Sequence, residues 1–216
     1  MKTIFSVLIS LFLFTALDAQ EVQWGIHLNG GYGEVSLNAP REVIELPPGR
    51  LEQKNGIGFG LGIYSRLLFN EWLSLSVAPT LQFQETALDR VRDDGTVGTL
   101  SLYSTGITLP VAVEVEFGKG DWRPHLSVGV GLFLNIDSDN RPFNVLRDEI
   151  LFGQLSAGVS RKFNKFIVRP ELFMQHSLAS LSNGVLDGSN LSVPPYSEWQ
   201  YFGLRILFYG NRKMAG

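Results

Sequence analysis

Alternation with a period of two runs through almost the whole chain, and it constrains the fold more than any other feature. In "GIGFGLGIY", Ile57, Phe59, Leu61 and Ile63 occupy one parity, and Gly58, Gly60, Gly62 and Tyr64 the other. Residues two apart share a face of a strand, so this text specifies a sheet with one apolar face and one small or polar face. The pattern recurs where Leu73, Leu75, Val77, Leu81 and Phe83 oppose Ser74, Ser76, Thr80 and Gln82. It recurs again where Leu126, Val128, Val130, Leu132, Leu134 and Ile136 oppose His125, Ser127, Gly129, Gly131 and Asn135. Eight segments are predicted as strands: Val22–Val35, Gly56–Arg66, Trp72–Gln84, Leu100–Phe117, Trp122–Ile136, Ile150–Arg161, Phe166–His176 and Glu198–Tyr209. Helical period is nearly absent, so the class is all-β.

The connections decide which all-β fold. "LLFNE", "GKGD" and "KFNK" join strands 2–3, 4–5 and 6–7. The intervening connections are long: "SLNAPREVIELPPGRLEQKN", "ETALDRVRDDGTVGT", "DSDNRPFNVLRDE" and "SLASLSNGVLDGSNLSVPPYS". Alternating tight turns and long loops are the wiring of a transmembrane barrel, with its long loops on the extracellular side. A soluble sandwich has no reason to gather its long loops at one end. The expectation is an eight-stranded antiparallel up-and-down transmembrane β-barrel carrying four extracellular loops.

The rest of the chain agrees with export. "MKTIFSVLISLFLFTALDA" reads as a signal peptide over 1–19, leaving the barrel domain at 20–216. There is no cysteine, so neither a lipoprotein anchor nor a disulfide framework is available. A formal net charge of −3 gives no footprint for nucleic acid. With 44% hydrophobic residues and no second run long enough for a membrane helix, the apolar face needs a core or lipid.

Closing the strands into a barrel places the polar parity inside, where eight strands leave room for side chains but no aqueous channel. Glu114, Glu116, Arg123, His125, Arg169, Glu171 and Arg205 are predicted to form a polar cluster in that lumen. If Phe117 pairs with Trp122, Glu116 lies opposite Arg123 and Glu114 opposite His125. The cluster is read as a structural plug, because a Lys or Arg facing lipid near midplane costs about 2–4 kcal/mol. Trp24, Tyr32, Phe69, Trp72, Phe117, Trp122, Phe163, Phe166, Trp199, Tyr201 and Tyr209 fall near strand ends, as interfacial girdles do. Pro124 and Pro170 sit near strand starts, whereas Pro79 and Pro110 require a bulge or a break.

Candidate chemistry is sparse. His125 and Ser127 have the His-x-Ser spacing of a lipid hydrolase, but both fall on the lumen parity, and His125 is assigned as the partner of Glu114. His27, His125 and His176 lie on different strands without the clustering of a three-histidine metal site. "DSDN" and "DRVRDDG" lack the ligand spacing of a calcium loop. The glycines of "LNGGYG" and "GIGFGLG" precede no helix, so they do not form a nucleotide loop. No catalytic, cofactor-binding or metal residue is expected, and the chain is read as a non-enzyme.

"LNGGYG", "GIGFGLGIYSRLLFNEWLSLSVAPTLQF", "ITLPVAVEVEF" with its Leu-Pro step and "RPHLSVGVGLFLNI" resemble the PorT-like outer-membrane β-barrel family of Bacteroidetes-type bacteria. The likeness spans Val22 to Tyr209. It implies an outer-membrane location, tolerance of a proline at Pro110, and a family with one member linked to protein secretion. Tyr209 is followed by "GNRKMAG", whereas many barrels stop on an aromatic. The expected partners are outer-membrane lipid and a protein docking on the loops, of which Leu37–Lys54 and Ser177–Tyr196 are the longest and most apolar. The barrel itself is expected to be a monomer with a structural or interaction role. The alternatives are a transport or secretion-accessory barrel, a lipid-modifying enzyme, and a soluble ligand-binding barrel. The last requires Leu75, Val77, Val128 and Val130 to be covered by protein.

Overall fold

The computed structural model describes residues 21–37, 50–54, 56–91, 93–136, 148–180 and 197–210. The expected signal peptide, "DSDN" and most of the two longest loops lie outside these residues. The strands are β1 (Glu21–Leu37), β2 (Arg50–Lys54), β3 (Gly56–Leu68), β4 (Leu73–Val77), β5 (Thr80–Val91), β6 (Val97–Glu116), β7 (Trp122–Asn135), β8 (Glu149–Lys162), β9 (Phe166–Ser177) and β10 (Ser197–Gly210). β2 leads into β3, and β4 into β5, so ten segments trace an eight-stranded closed antiparallel barrel. β1 pairs with β10 on one side and with β3 on the other, which closes the ring.

The break that Pro79 and Pro110 require is a single shared one. Val77 pairs with Val111 and Thr80 with Thr108, which sets Ala78–Pro79 beside Pro110. Ala78 N donates to Pro110 O at 3.3 Å, and the proline nitrogen has no hydrogen to return. Thr80 Oγ1 donates to Ala78 O at 2.8 Å in its place. Pro79 O accepts from Ile63 N at 3.0 Å, so the ladder resumes at once.

Three expectations about pairing need correction. The β6–β7 register pairs Glu116 with His125 and Glu114 with Ser127, two residues away from the pairing expected across "GKGD". Phe117 N bonds Pro124 O at 2.8 Å, and Gly118 supplies the positive φ of +87° that the wider turn needs. The connection predicted over 85–99 is mostly strand, because β5 and β6 stay paired as far as Val91 and Val97. Arg50–Lys54, also expected as loop, pairs with β5. The pairing of these segments shifts register between Phe83 and Ala87. Beyond that shift the apolar/polar alternation that marks the barrel strands fades, so the sequence there reads as loop.

The outer face is apolar. Val22, Trp24, Ile26, Leu28 and Tyr32 project outward from β1, and Val128 and Val130 are exposed on β7. Leu75 and Val77 are half-buried, and no described element lies over any of the four residues that a soluble barrel would cover. Ten residue steps from Val22 to Tyr32, at ~3.3 Å each and a tilt of ~40°, span roughly 25 Å of height. Trp24, Trp72, Phe117, Trp122, Phe163 and Phe166 rim the short-turn end. Trp199, Tyr201 and Tyr209, expected in the girdles, instead point inward and are at most 3% exposed. They share the parity of Arg205 on β10, so whatever turns that arginine inward turns them too.

Candidate functional site in the barrel lumen

Inward residues form two zones. Toward the short turns the lumen holds three guanidiniums, Arg66, Arg169 and Arg205, and three carboxylates, Glu114, Glu116 and Glu171, all buried. Toward the loop end it holds rings. Phe133 lies 5.7 Å and Phe152 6.0 Å from Trp199, and Phe173 lies 5.6 Å from Tyr201. Arg205 stacks over Phe173 at 4.5 Å and joins the zones.

Arg169 is the hub of the polar zone. Its Nη1 donates to Glu114 Oε2 at 2.7 Å and to Tyr64 Oη at 3.1 Å. The Tyr64 hydroxyl also donates to Glu114, at 3.0 Å from Oε2, and Ser74 adds a longer bond of 3.4 Å. Arg169 Nε lies 2.9 Å from His125 Nε2, and Glu171 Oε2 lies 3.1 Å from that same nitrogen. The nitrogen serves one of them at a time: it accepts from Arg169 when the proton is on Nδ1, and donates to Glu171 when it carries the proton itself. Arg205 Nη1 donates to the other Glu171 oxygen at 3.1 Å, and Arg205 Nη2 to Gln154 at 3.3 Å. A second group lies nearer the short turns, where Arg66 Nη1 donates to Glu116 Oε1 at 2.5 Å and to Tyr209 Oη at 3.2 Å. Ser160 also donates to Glu116, at 3.2 Å.

Six of the seven sequence-predicted lumen residues are buried in this network, but with other partners. Glu114 belongs to Arg169 and Tyr64, not to His125, whose carboxylate is Glu171. Arg123 stands at the rim, where its Nε donates to Gly120 O at 3.2 Å and its Nη1 is 3.9 Å from Glu116. Sequence reasoning missed Arg66 and Tyr64 as network members and His27 as a buried lumen residue. Parity was the available signal, since Arg66 is two residues from the inward-assigned Tyr64. His27 is fully buried against Thr80 Oγ1, 3.2 Å away. A Cβ on Gly62 would fall 2.3 Å from the His27 ring, so that glycine leaves the space the imidazole fills.

The other candidate chemistry resolves into local bonds. Ser127 Oγ lies 2.7 Å from Ser156 Oγ, and both are buried in the lumen, with no bond from Ser127 to His125 among the described residues. Within "DRVRDDG", Asp94 Oδ1 accepts from Thr96 N at 2.9 Å and Thr96 Oγ1 at 2.6 Å, closing its own turn. His176 stands apart at the loop-end rim, 3.8 Å from Glu198. No group of three or more potential metal ligands occurs among the described residues.

No protein-family model and no curated protein sequence matches the chain. Among solved structures, it is similar to the outer membrane protein AlkL in lipid bilayers at 12% identity and a TM-score of 0.48, covering 92% of this chain and 94% of that one. It is similar to Neisserial surface protein A at 8% identity and 0.48, covering 87% and 98%. It is similar to the outer membrane protein OprG of Pseudomonas aeruginosa at 12% identity and 0.45, covering 86% and 94%.

Proposed function

We propose that this chain is a small outer-membrane barrel of PorT-like type with a plugged lumen, acting as a structural or interaction protein through the loops opposite its short turns. The observation that carries the proposal is the uncovered apolar outer face, roughly 25 Å tall and rimmed with aromatics at one end. A water-soluble barrel would leave this continuous patch exposed, well beyond what soluble monomers tolerate. The lumen side supports plug over pore. Among the described residues three buried cations balance three buried anions, so this network carries no surplus charge to select a permeant ion. The Ser127–Ser156 pair, turned away from the lipid-facing surface, supports the non-enzymatic reading.

Two experiments test the proposal in sequence. Protein from the outer-membrane fraction should run faster unboiled than boiled, as a closed detergent-resistant barrel does; an unshifted band from the soluble periplasm would overturn it. In planar bilayers the protein should pass no steady current. Substrate flux through intact protein that changes with Glu114→Gln would favour the transport reading, and loss of lipid A modification on Ser127→Ala the enzymatic one.

A further inference from the structure

We propose that Arg161, with Trp122 and Phe163, forms a binding site for the phosphate of an anionic phospholipid at the short-turn edge of the apolar belt. The site rests on the membrane reading above. Arg161 lies on the outward parity of β8, one residue before its end, and is exposed. Its backbone pairs with Trp122 of β7 on one side and with Val168 of β9 on the other. The guanidinium carbon lies 4.7 Å from the Trp122 ring centre and 5.0 Å from that of Phe163. Phe163 is in turn fixed by stacking on Phe166 at 4.7 Å.

Two rings therefore hold the planar cation while its side-chain N–H groups stay unspent among the described residues. No carboxylate pairs with Arg161 among the described residues, in contrast to the guanidiniums of Arg66, Arg169 and Arg205 inside. A fork of parallel N–H donors matches two oxygens of one phosphate, and stacking fixes its orientation without using any of them. The neighbouring outward positions on these strands, Pro124, Leu126 and Val159, are apolar, so the acyl chains of the same lipid would lie directly above the headgroup. Exposed Lys165 sits in the adjacent turn and adds charge without ring support. The occupant is thus a lipid of the leaflet on the short-turn side, with phosphatidylglycerol preferred over phosphatidylcholine because its headgroup carries no competing cation.

The test refolds wild type, Arg161→Gln and Lys165→Gln into equimolar phosphatidylglycerol and phosphatidylcholine vesicles. Insertion is scored by the heat-dependent gel shift, and the lipids retained after detergent extraction are counted by mass spectrometry. Wild type should retain phosphatidylglycerol preferentially, with Arg161→Gln lowering the preference about five-fold and Lys165→Gln leaving it nearly unchanged. Equal losses in both variants, or none in Arg161→Gln, would overturn the site while insertion still upheld the membrane reading. Displacement of the lipid by millimolar inorganic phosphate would assign the arginine to a free anion and overturn the lipid assignment. Failure of wild type to insert would overturn both.

Discussion

His125 and Leu126 are adjacent in the chain and lie on opposite sides of the barrel wall. His125 is buried among Arg169 and Glu171, and Leu126 is 54% exposed on the outer surface. The two faces follow opposite rules. Outside, on the membrane reading proposed above, any apolar side chain of reasonable size serves, because its neighbour would be a fluid. Inside, each charge needs a particular partner, because neither bulk water nor lipid supplies one. The outer face should therefore accept substitution within a class, whereas the lumen should be sensitive to the loss of single atoms.

Breaking the inner rule should cost most. Arg169→Leu leaves Glu114 buried without its guanidinium and should destabilise by about 3–5 kcal/mol, measured by urea unfolding of refolded barrel. Violating the outer rule comes next: Val128→Arg should cost about 2–4 kcal/mol in lipid, whereas Val128→Leu should change little. If Val128→Arg were neutral while Arg169→Leu was not, the apolar face would not be meeting lipid. Gly62→Ala tests lumen packing, since the new methyl meets both the His27 ring and Pro79 O at 2.3 Å. It should cost about 1–3 kcal/mol in the same assay, and the added substitution His27→Ala should recover part of that. Thr80→Val removes the hydroxyl that serves Ala78 O opposite Pro110 and should cost about 1 kcal/mol. Hydrogen exchange at the Ala78 amide would show whether the loss is local to the proline break.

The two faces were not equally legible. Parity alone assigned Leu126, Val128 and Val130 outward, because which face a residue takes depends on residue class and on nothing distant. Parity also assigned Glu114, Glu171 and Arg205 inward, but it could not choose among inward partners. The slip at "GKGD" shows why. A shift of one residue would have moved every side chain to the wrong face, whereas a shift of two keeps the faces and changes every opposite number. Glu116 thereby faces His125 in place of Arg123. Trp199, Tyr201 and Tyr209 failed differently, since aromatic residues near strand ends fit a girdle by composition while their parity with Arg205 says lumen.

The sequence by itself determined the fold class, the positions of the eight barrel strands short of their extensions through 85–99 and Arg50–Lys54, and the face on which nearly every barrel side chain lies. All of these follow from a period of two and from the lengths of turns, which are local properties of the chain. The tertiary structure decided the register, the shared break at Pro79 and Pro110, and the pairing of Arg169 with Glu114 across 55 residues of chain. Those depend on closure. Only when β1 meets both β3 and β10 do side chains from opposite walls come within reach, and Glu114 and Glu116 then find in Arg169 and Arg66 partners that no neighbouring strand supplies.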